Sequence, residues 1–248
     1  MKPVLVIFAT HYGQSLRIAN HIALALRAKD LKPDIVDSTQ MSPGFSLDNY
    51  SAVILIAPVE RGRHQKNIIK FITQSRKHLE QVPTAFISVS LSQAGAEDAS
   101  ATPERRARCA RDVAQLIQTF LGETSWRPVR VMPVAGALAY TKYSWLLRLV
   151  MKWIAKRSGA STDTSQDHEY TNWIAIGQFV DEFAREIAVS SRSPAAIAVT
   201  ALPQGTTPEH ATAAPTEGVR TVAVPAAEVK KRGQLPIEQP GEKKAAAV

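Results

Sequence analysis

The stretch PVLVIFATHYGQS, residues 3–15, decides how the rest of the chain is read. Pro3–Ala9 is a continuous apolar run bounded by polar residues, the pattern of a strand buried on both faces of a parallel sheet. A turn of small and hydroxyl residues, Thr10-His11-Tyr12-Gly13-Gln14-Ser15, carries it into Ser15–Lys29. There Ile18, Ile22, Leu24, Ala25 and Leu26 recur at mainly helical spacing. A strand that turns this way into a helix aims backbone N–H groups and Ser/Thr oxygens at one spot, and the helix dipole adds partial positive charge. Such a turn holds a phosphate without needing lysine. Neither GxGxxG nor GxxxxGK[ST] occurs, so dinucleotide and P-loop readings lose their main support.

Working outward, a short strand is expected at Lys32–Val36, then a polar loop through Asp48 and a second fully apolar strand at Ala52–Ala57. Gln65–Leu79 reads as a helix with Ile68, Ile69, Ile72 and Leu79 on one face, and Pro83–Ser90 as a strand. Thr102-Pro103 opens a helix through Leu121 with a capping oxygen before proline at the first helical position. Val129–Val134 is the fifth strand, and a closing helix over Asn172–Ile187 takes Thr171 as its N-cap. The succession predicts an α/β fold. Its five strands fit a doubly wound parallel sheet in the order 2-1-3-4-5, with helices on both faces. In that order the ligand site lies beside the first strand, at the carboxyl ends.

The 248 residues are 45% hydrophobic and 21% charged, which excludes a wholly disordered chain. No stretch approaches the roughly 18 consecutive apolar residues of a spanning helix, and the N-terminus reads as a buried strand rather than a signal peptide. The single cysteine, Cys109, precludes an internal disulfide, and a reducing cytosol is the simplest compartment. Thirty Lys+Arg against 22 Asp+Glu give a net charge of +8, which suits a nucleic acid, an anionic membrane surface or an acidic substrate without choosing among them. No nucleic-acid reading motif accompanies the charge, and the six histidines have no metal-ligand spacing, so neither nucleic acid nor metal is expected. From Ser190 to Val248 the chain is rich in Ala, Pro and Thr and lacks aromatics, which predicts a disordered tail after a domain of residues 1–189.

Residues 136–171 form an insertion before the last helix. Within Tyr140–Arg157, Arg148, Lys152 and Lys156 fall on one narrow stripe at 100° per residue, with Trp145 beside it. Leu146, Leu147, Val150, Met151, Trp153 and Ile154 make a broad apolar face. Basic residues, interfacial tryptophans and a length too short to span describe a helix that lies in a lipid headgroup layer. The alternative is a helix packed on the sheet edge with its charges in solvent.

The run from Ile7 to Ile22, IFATHYGQSLRIANHI, resembles the flavodoxin signature that binds the FMN phosphate, with Ser15 where threonine is usual. The likeness extends through Ser88–Leu91, Ser125-Trp126-Arg127-Pro128, Ala135–Tyr140, Ser158-Gly159, Thr162–Thr164 and Tyr170–Trp173. Together these resemble the flavodoxin-like, quinone-dependent protoporphyrinogen oxidases of bacterial haem synthesis, over about residues 2 to 188. The resemblance implies FMN as cofactor, protoporphyrinogen IX as substrate, a membrane quinone as acceptor, and a cytoplasmic enzyme peripherally associated with the inner face of the cell membrane. It also implies that Thr10, His11, Tyr12, Gly13, Gln14 and Ser15 hold the phosphate, and that Arg61, Gly62, Ser90, Leu91 and Ser92 border the ring.

Two loops depart from that family. Pro58-Val59-Glu60-Arg61-Gly62-Arg63-His64 stands where Ser-Ile-Arg-Tyr-Gly is typical, which replaces an aromatic with Arg61 and a basic residue with Glu60. The loop Ser92–Thr102 is small and acidic where basic residues are common. These departures keep two alternatives open: a soluble flavodoxin-type electron carrier, and a non-enzymatic relative that has lost FMN and binds a membrane or partner.

Overall fold

The computed structural model describes residues 2–41, 44–158 and 160–192. The first strand, β1 (Val4–Phe8), passes through residues 9–13 into helix α1 (Gln14–Arg27). Strand β2 (Pro33–Asp37) follows, then β3 (Ala52–Glu60), a two-residue strand β4 (Arg63–His64) and helix α2 (Lys66–Leu79). Next come β5 (Thr84–Ser90), α3 (Leu91–Glu97), α4 (Pro103–Thr124) and β6 (Arg130–Ala135). The insertion contributes β7 (Ala137–Leu138), a 3₁₀ turn (Tyr140–Lys142), α5 (Trp145–Ser158) and β8 (His168–Glu169), before α6 (Trp173–Arg192).

The main sheet runs β2-β1-β3-β5-β6, all parallel, with β4 paired antiparallel to the end of β3. Counting parallel strands alone, this is the doubly wound order 2-1-3-4-5 read from the sequence. Period-two alternation in continuously apolar strands divides their side chains between two cores. Val4, Val6, Phe8, Ile54, Ile56 and Ile87 pack with α1 and α6 residues such as Ile18, Ile22, Val180 and Phe183. Leu5, Ile7, Val53, Leu55 and Phe86 pack on the other face with Ile68, Ile72, Phe120 and Trp126. A one-residue slip of any central strand would exchange those faces, so register is strongly specified.

Several local expectations are corrected. The strand expected to end at Ala57 continues to Glu60, because Arg61 and Gly62 both take positive φ (51° and 76°) and return the chain as β4. Positive φ at both central residues defines the tight type I′ hairpin, whose twist matches that of the strands. The acidic loop from Ser92 begins as a helix instead: Ser90 caps α3, its hydroxyl accepting from the Gln93 N–H at 3.2 Å. The carboxylates that follow are used locally. Glu97 accepts from Gln93 Nε2 at 2.8 Å, and Asp98 accepts from the hydroxyl of Ser100 at 2.6 Å and its N–H at 2.9 Å. Asn172, not Thr171, caps α6 by accepting from the Ala175 N–H at 3.0 Å. Thr102 caps α4 as expected, at 3.4 Å from the Arg105 N–H. Helix α6 runs to Arg192, and the tail expected from residue 190 otherwise lies outside the described residues.

Candidate functional site

The carboxyl ends of the parallel strands β1, β3 and β5 present three segments at one end of the sheet: residues 10–15, the Arg61-Gly62 hairpin tip, and the Ser90–Ser92 start of α3. Gly13 shapes the first. It takes φ 93°, and its N–H donates to Thr10 Oγ1 at 2.9 Å. No side chain caps α1, so the first-turn N–H groups of Gln14, Ser15 and Leu16 have no intrahelical acceptor. Ser15 is 1% exposed, and among the described residues its hydroxyl has no protein partner. The resulting donor set, with the partial charge of the helix end, is chemically matched to a phosphate.

Gln14 is placed differently from the other loop residues. Its Nε2 donates to Glu169 Oε1 and Thr171 Oγ1, both at 2.7 Å. Arg17 completes the ring, pairing with Glu169 Oε2 at 3.0 Å. Thr171 also donates to the Ala135 carbonyl at 2.8 Å. The Gln14 side chain therefore ties the start of α1 to the insertion, a role that the spacing of the sequence does not reveal. His11 is exposed and meets Tyr12 edge-on at 4.7 Å.

Tyr12 joins the loops. Its ring meets Tyr143 of the insertion edge-on at 4.7 Å, and Lys142 Nζ donates to its carbonyl at 3.4 Å. Tyr12 and Leu91 both pack on a satellite core of Leu138, Ala139, Tyr140, Tyr143, Ala155 and Ala160. Burial raises the Tyr12 phenol above its usual range; Glu60 adds to the rise and Arg61 opposes it. Because β3 pairs with β1, the Arg61-Gly62 hairpin and the first loop leave adjacent strands at the same end of the sheet. His64 is not at the surface: it is 5% exposed, packed against Phe86 and Phe120, with Nε2 2.9 Å from Ser88 Oγ.

The insertion is stapled to itself and to α3. Tyr143 OH accepts from the Ala139 N–H at 3.1 Å, Tyr140 OH donates to the Ser161 carbonyl at 3.0 Å, and Asp167 accepts from both the N–H and hydroxyl of Thr141 at 2.9 Å. Helix α5 turns Leu147, Met151 and Ala155 inward. Its outer side exposes Trp145 (75%), Leu146, Leu149, Val150 and Trp153 (63%), with Lys152 and Lys156 also in solvent. Arg148 leaves the basic stripe drawn from the helical wheel. Its guanidinium donates to the carbonyls of Tyr140 (3.1 Å) and Tyr143 (3.5 Å) in the preceding turn. The apolar face is divided accordingly, one edge packed and the other uncovered. Among the described residues, no helix is long and apolar enough to cross a membrane.

Grooves of about 400 and 510 Å³ flank β6, and neither is lined by a residue of the three loops. The convergent donors lie instead at the open mouth above β1, β3 and β5.

A family model described as a flavodoxin domain matches residues 5–165. Protoporphyrinogen IX dehydrogenase (quinone) of Escherichia coli strain K12 is 32% identical over 190 residues, covering 77% of this chain and 97% of that protein. The protein of the same name from Leishmania major is 30% identical over 181 residues, covering 73% of this chain and 74% of its own. Among solved structures, a Fusobacterium nucleatum flavodoxin bound to flavin mononucleotide aligns with a TM-score of 0.43 at 12% identity, over 75% of this chain and 99% of that one.

Proposed function

Because this chain belongs to the flavodoxin domain family, we propose that it is an FMN-dependent oxidoreductase that converts protoporphyrinogen IX to protoporphyrin IX and delivers the electrons to a quinone at a membrane surface. The observation that carries the reading is the uncapped start of α1, shaped by Gly13 and carrying the partnerless Ser15 hydroxyl, in a chain that spans nearly all of a dehydrogenase of that name. The residues present fit FMN. First-turn N–H groups and the Thr10 and Ser15 hydroxyls would hold its phosphate, with His11, Tyr12 and Gly13 forming the loop and Gln14 anchoring it from outside. Arg61, Gly62, Ser90, Leu91 and Ser92 would border the ring. Arg61 supplies a guanidinium plane that can stack on a π-system where the family has an aromatic.

The chemistry a bound FMN would supply is oxidation of the macrocycle in three two-electron steps, six electrons and six protons in all, with one quinone reduced to a quinol at each. The chain's own contribution is binding, orientation and water exclusion. Tyr12 and Tyr143 wall one side of the mouth, and burial raises both phenols, moving them further from ionisation. The outer side of α5 supports delivery at a lipid surface. Five large apolar side chains beside Lys152 and Lys156 suit a helix lying in the headgroup layer, and α5 packs on α3, which begins at the site. That placement corresponds to a cytoplasmic protein on the inner face of the cell membrane.

The test is anaerobic oxidation of protoporphyrinogen IX by the FMN-loaded chain with a short-chain quinone, in detergent and on vesicles. Protoporphyrin fluorescence should rise with quinol formation. FMN binding without turnover would indicate an electron carrier, and a chain that stays colourless after loading would indicate a relative without flavin. On anionic vesicles, Trp145→Glu with Trp153→Glu should reduce sedimentation more than tenfold while leaving flavin bound; equal sedimentation would refute the membrane role.

A further inference from the structure

The ribbon that carries Arg61 and Gly62 has little backbone to hold it. Strand β4 is two residues long, lies off the main path of the sheet, and pairs with the end of β3, Val59 with His64 and Glu60 with Arg63. A two-stranded ribbon of that kind is at best marginally stable by itself in water, so its direction relative to the sheet depends on side chains. Gln65 Nε2 donates to Glu60 Oε1 at 2.7 Å, which closes the ribbon on itself. His64 fastens it to β5.

Of the two β4 residues, Arg63 is exposed and His64 is buried. The imidazole sits 5.4 Å from the ring of Phe86 on β5 and 4.6 Å from that of Phe120 on α4, and those two phenyl rings stack at 4.3 Å. Its Nε2 is 2.9 Å from Ser88 Oγ, on a serine that is itself 1% exposed. Phenylalanine or leucine would occupy such a slot without the cost of burying a polar ring. What the imidazole adds is direction: a satisfied buried hydrogen bond specifies one arrangement, where apolar contact tolerates sliding. Ser88 stands two residues before Ser90, the cap of α3. One side-chain bond thus links two of the three segments at the mouth, the Arg61-Gly62 tip and the Ser90–Ser92 start of α3.

We propose that His64 is a positioning residue of the flavin site, and that its hydrogen bond to Ser88 sets the spacing between the hairpin tip and the start of α3 that receives the isoalloxazine. This rests on the FMN reading above and adds a buried residue that acts on the ring through the hairpin. The phosphate is held on a different segment, the start of α1. A loosened hairpin therefore weakens the ring's share of binding and leaves the phosphate's share intact.

Flavin binding tests it without turnover. FMN and riboflavin are each titrated, by quenching of flavin fluorescence, into the full chain and into Ser88→Ala, His64→Phe, His64→Gln and Ser51→Ala variants. The visible circular dichroism of the bound flavin is recorded at saturation. Ser51 donates to the Lys2 carbonyl at 2.9 Å beside the amino ends of β1 and β3, and controls for a hydrogen bond lost far from the mouth. Ser88→Ala and His64→Phe should weaken both flavins about fivefold, the scale of one buried hydrogen bond, and change the dichroism of the bound ring. The ratio of FMN to riboflavin affinity should keep its wild-type value. His64→Gln, whose amide takes the place of Nε2, should restore affinity and dichroism, and Ser51→Ala should match wild type in both. Affinity and dichroism unchanged in Ser88→Ala and His64→Phe, a loss confined to FMN, or His64→Gln behaving as His64→Phe would each overturn the positioning role. Wild type that binds neither flavin would overturn the FMN reading and this proposal with it, so the two failures are told apart by the wild-type titration.

Discussion

His64 should make the fold sensitive to acid well before its carboxylates do. The imidazole is packed between Phe86 and Phe120 with one hydrogen bond, to Ser88 at 2.9 Å. Burial lowers its pKa from 6.5 to about 4. At neutral pH it is uncharged in both folded and unfolded chains. As the pH falls below 6.5 the unfolded chain takes up a proton that the folded chain refuses, so stability falls with it. At pH 5 the two proton-binding factors differ about 30-fold, a loss of about 2 kcal/mol, and the loss is complete only below about pH 4. Asp98, Asp163 and Asp167 are held low chiefly by hydrogen bonds from Ser100, Ser165 and Thr141. Their contributions are lost only as pH falls through those lowered values, outside this interval. Urea unfolding at pH 7.5 and 5.0, followed by tryptophan emission, gives the change for wild type and for His64→Gln. Wild type should lose about 2 kcal/mol more than the variant across the interval. Equal losses would refute the account, because another group would then carry the acid sensitivity.

Gly13→Ala has open space for its methyl group, so its cost is conformational alone, about 1–2 kcal/mol at φ 93°; a melting temperature within 1 °C (roughly the precision of the comparison) of wild type would contradict this. Thr171→Val keeps the shape but removes the acceptor for Gln14 and the donor to Ala135, and it should destabilise by about 1–2 kcal/mol in the same melts. Arg61→Asn suits the positive φ of the hairpin tip and should raise stability by about 0.5 kcal/mol, measured by urea midpoint at constant slope.

The sheet was legible because its strands are buried on both faces. Runs such as PVLVIFA and AVILIA have little choice of surroundings, and the strand order followed from the alternation of strands and helices. The phosphate loop was legible for a similar reason: a turn containing Gly13, placed between strand and helix, has few conformations available. What escaped reading depends on contacts between distant residues. Nothing local marks Gln14 as the partner of Glu169, 155 positions away, nor Tyr12 as that of Tyr143. The helical wheel of α5 gave an amphipathic face but not which edge would be packed. Arg148 turns inward, where its guanidinium reaches the carbonyls of Tyr140 and Tyr143. The acidic stretch reads as a loop in sequence, but Ser90 works as a cap and makes the next seven residues a helix.

The proposed function requires that the start of α1 hold a phosphate. Titrating the full chain with FMN and, separately, with riboflavin isolates that group, since the two ligands differ only by it. Flavin fluorescence quenching should give FMN a dissociation constant at least about 100-fold lower, the scale of two charge-assisted hydrogen bonds. Gly13→Ala should narrow the gap by weakening FMN alone. Equal affinity for the two flavins, or no quenching by either, would contradict the account.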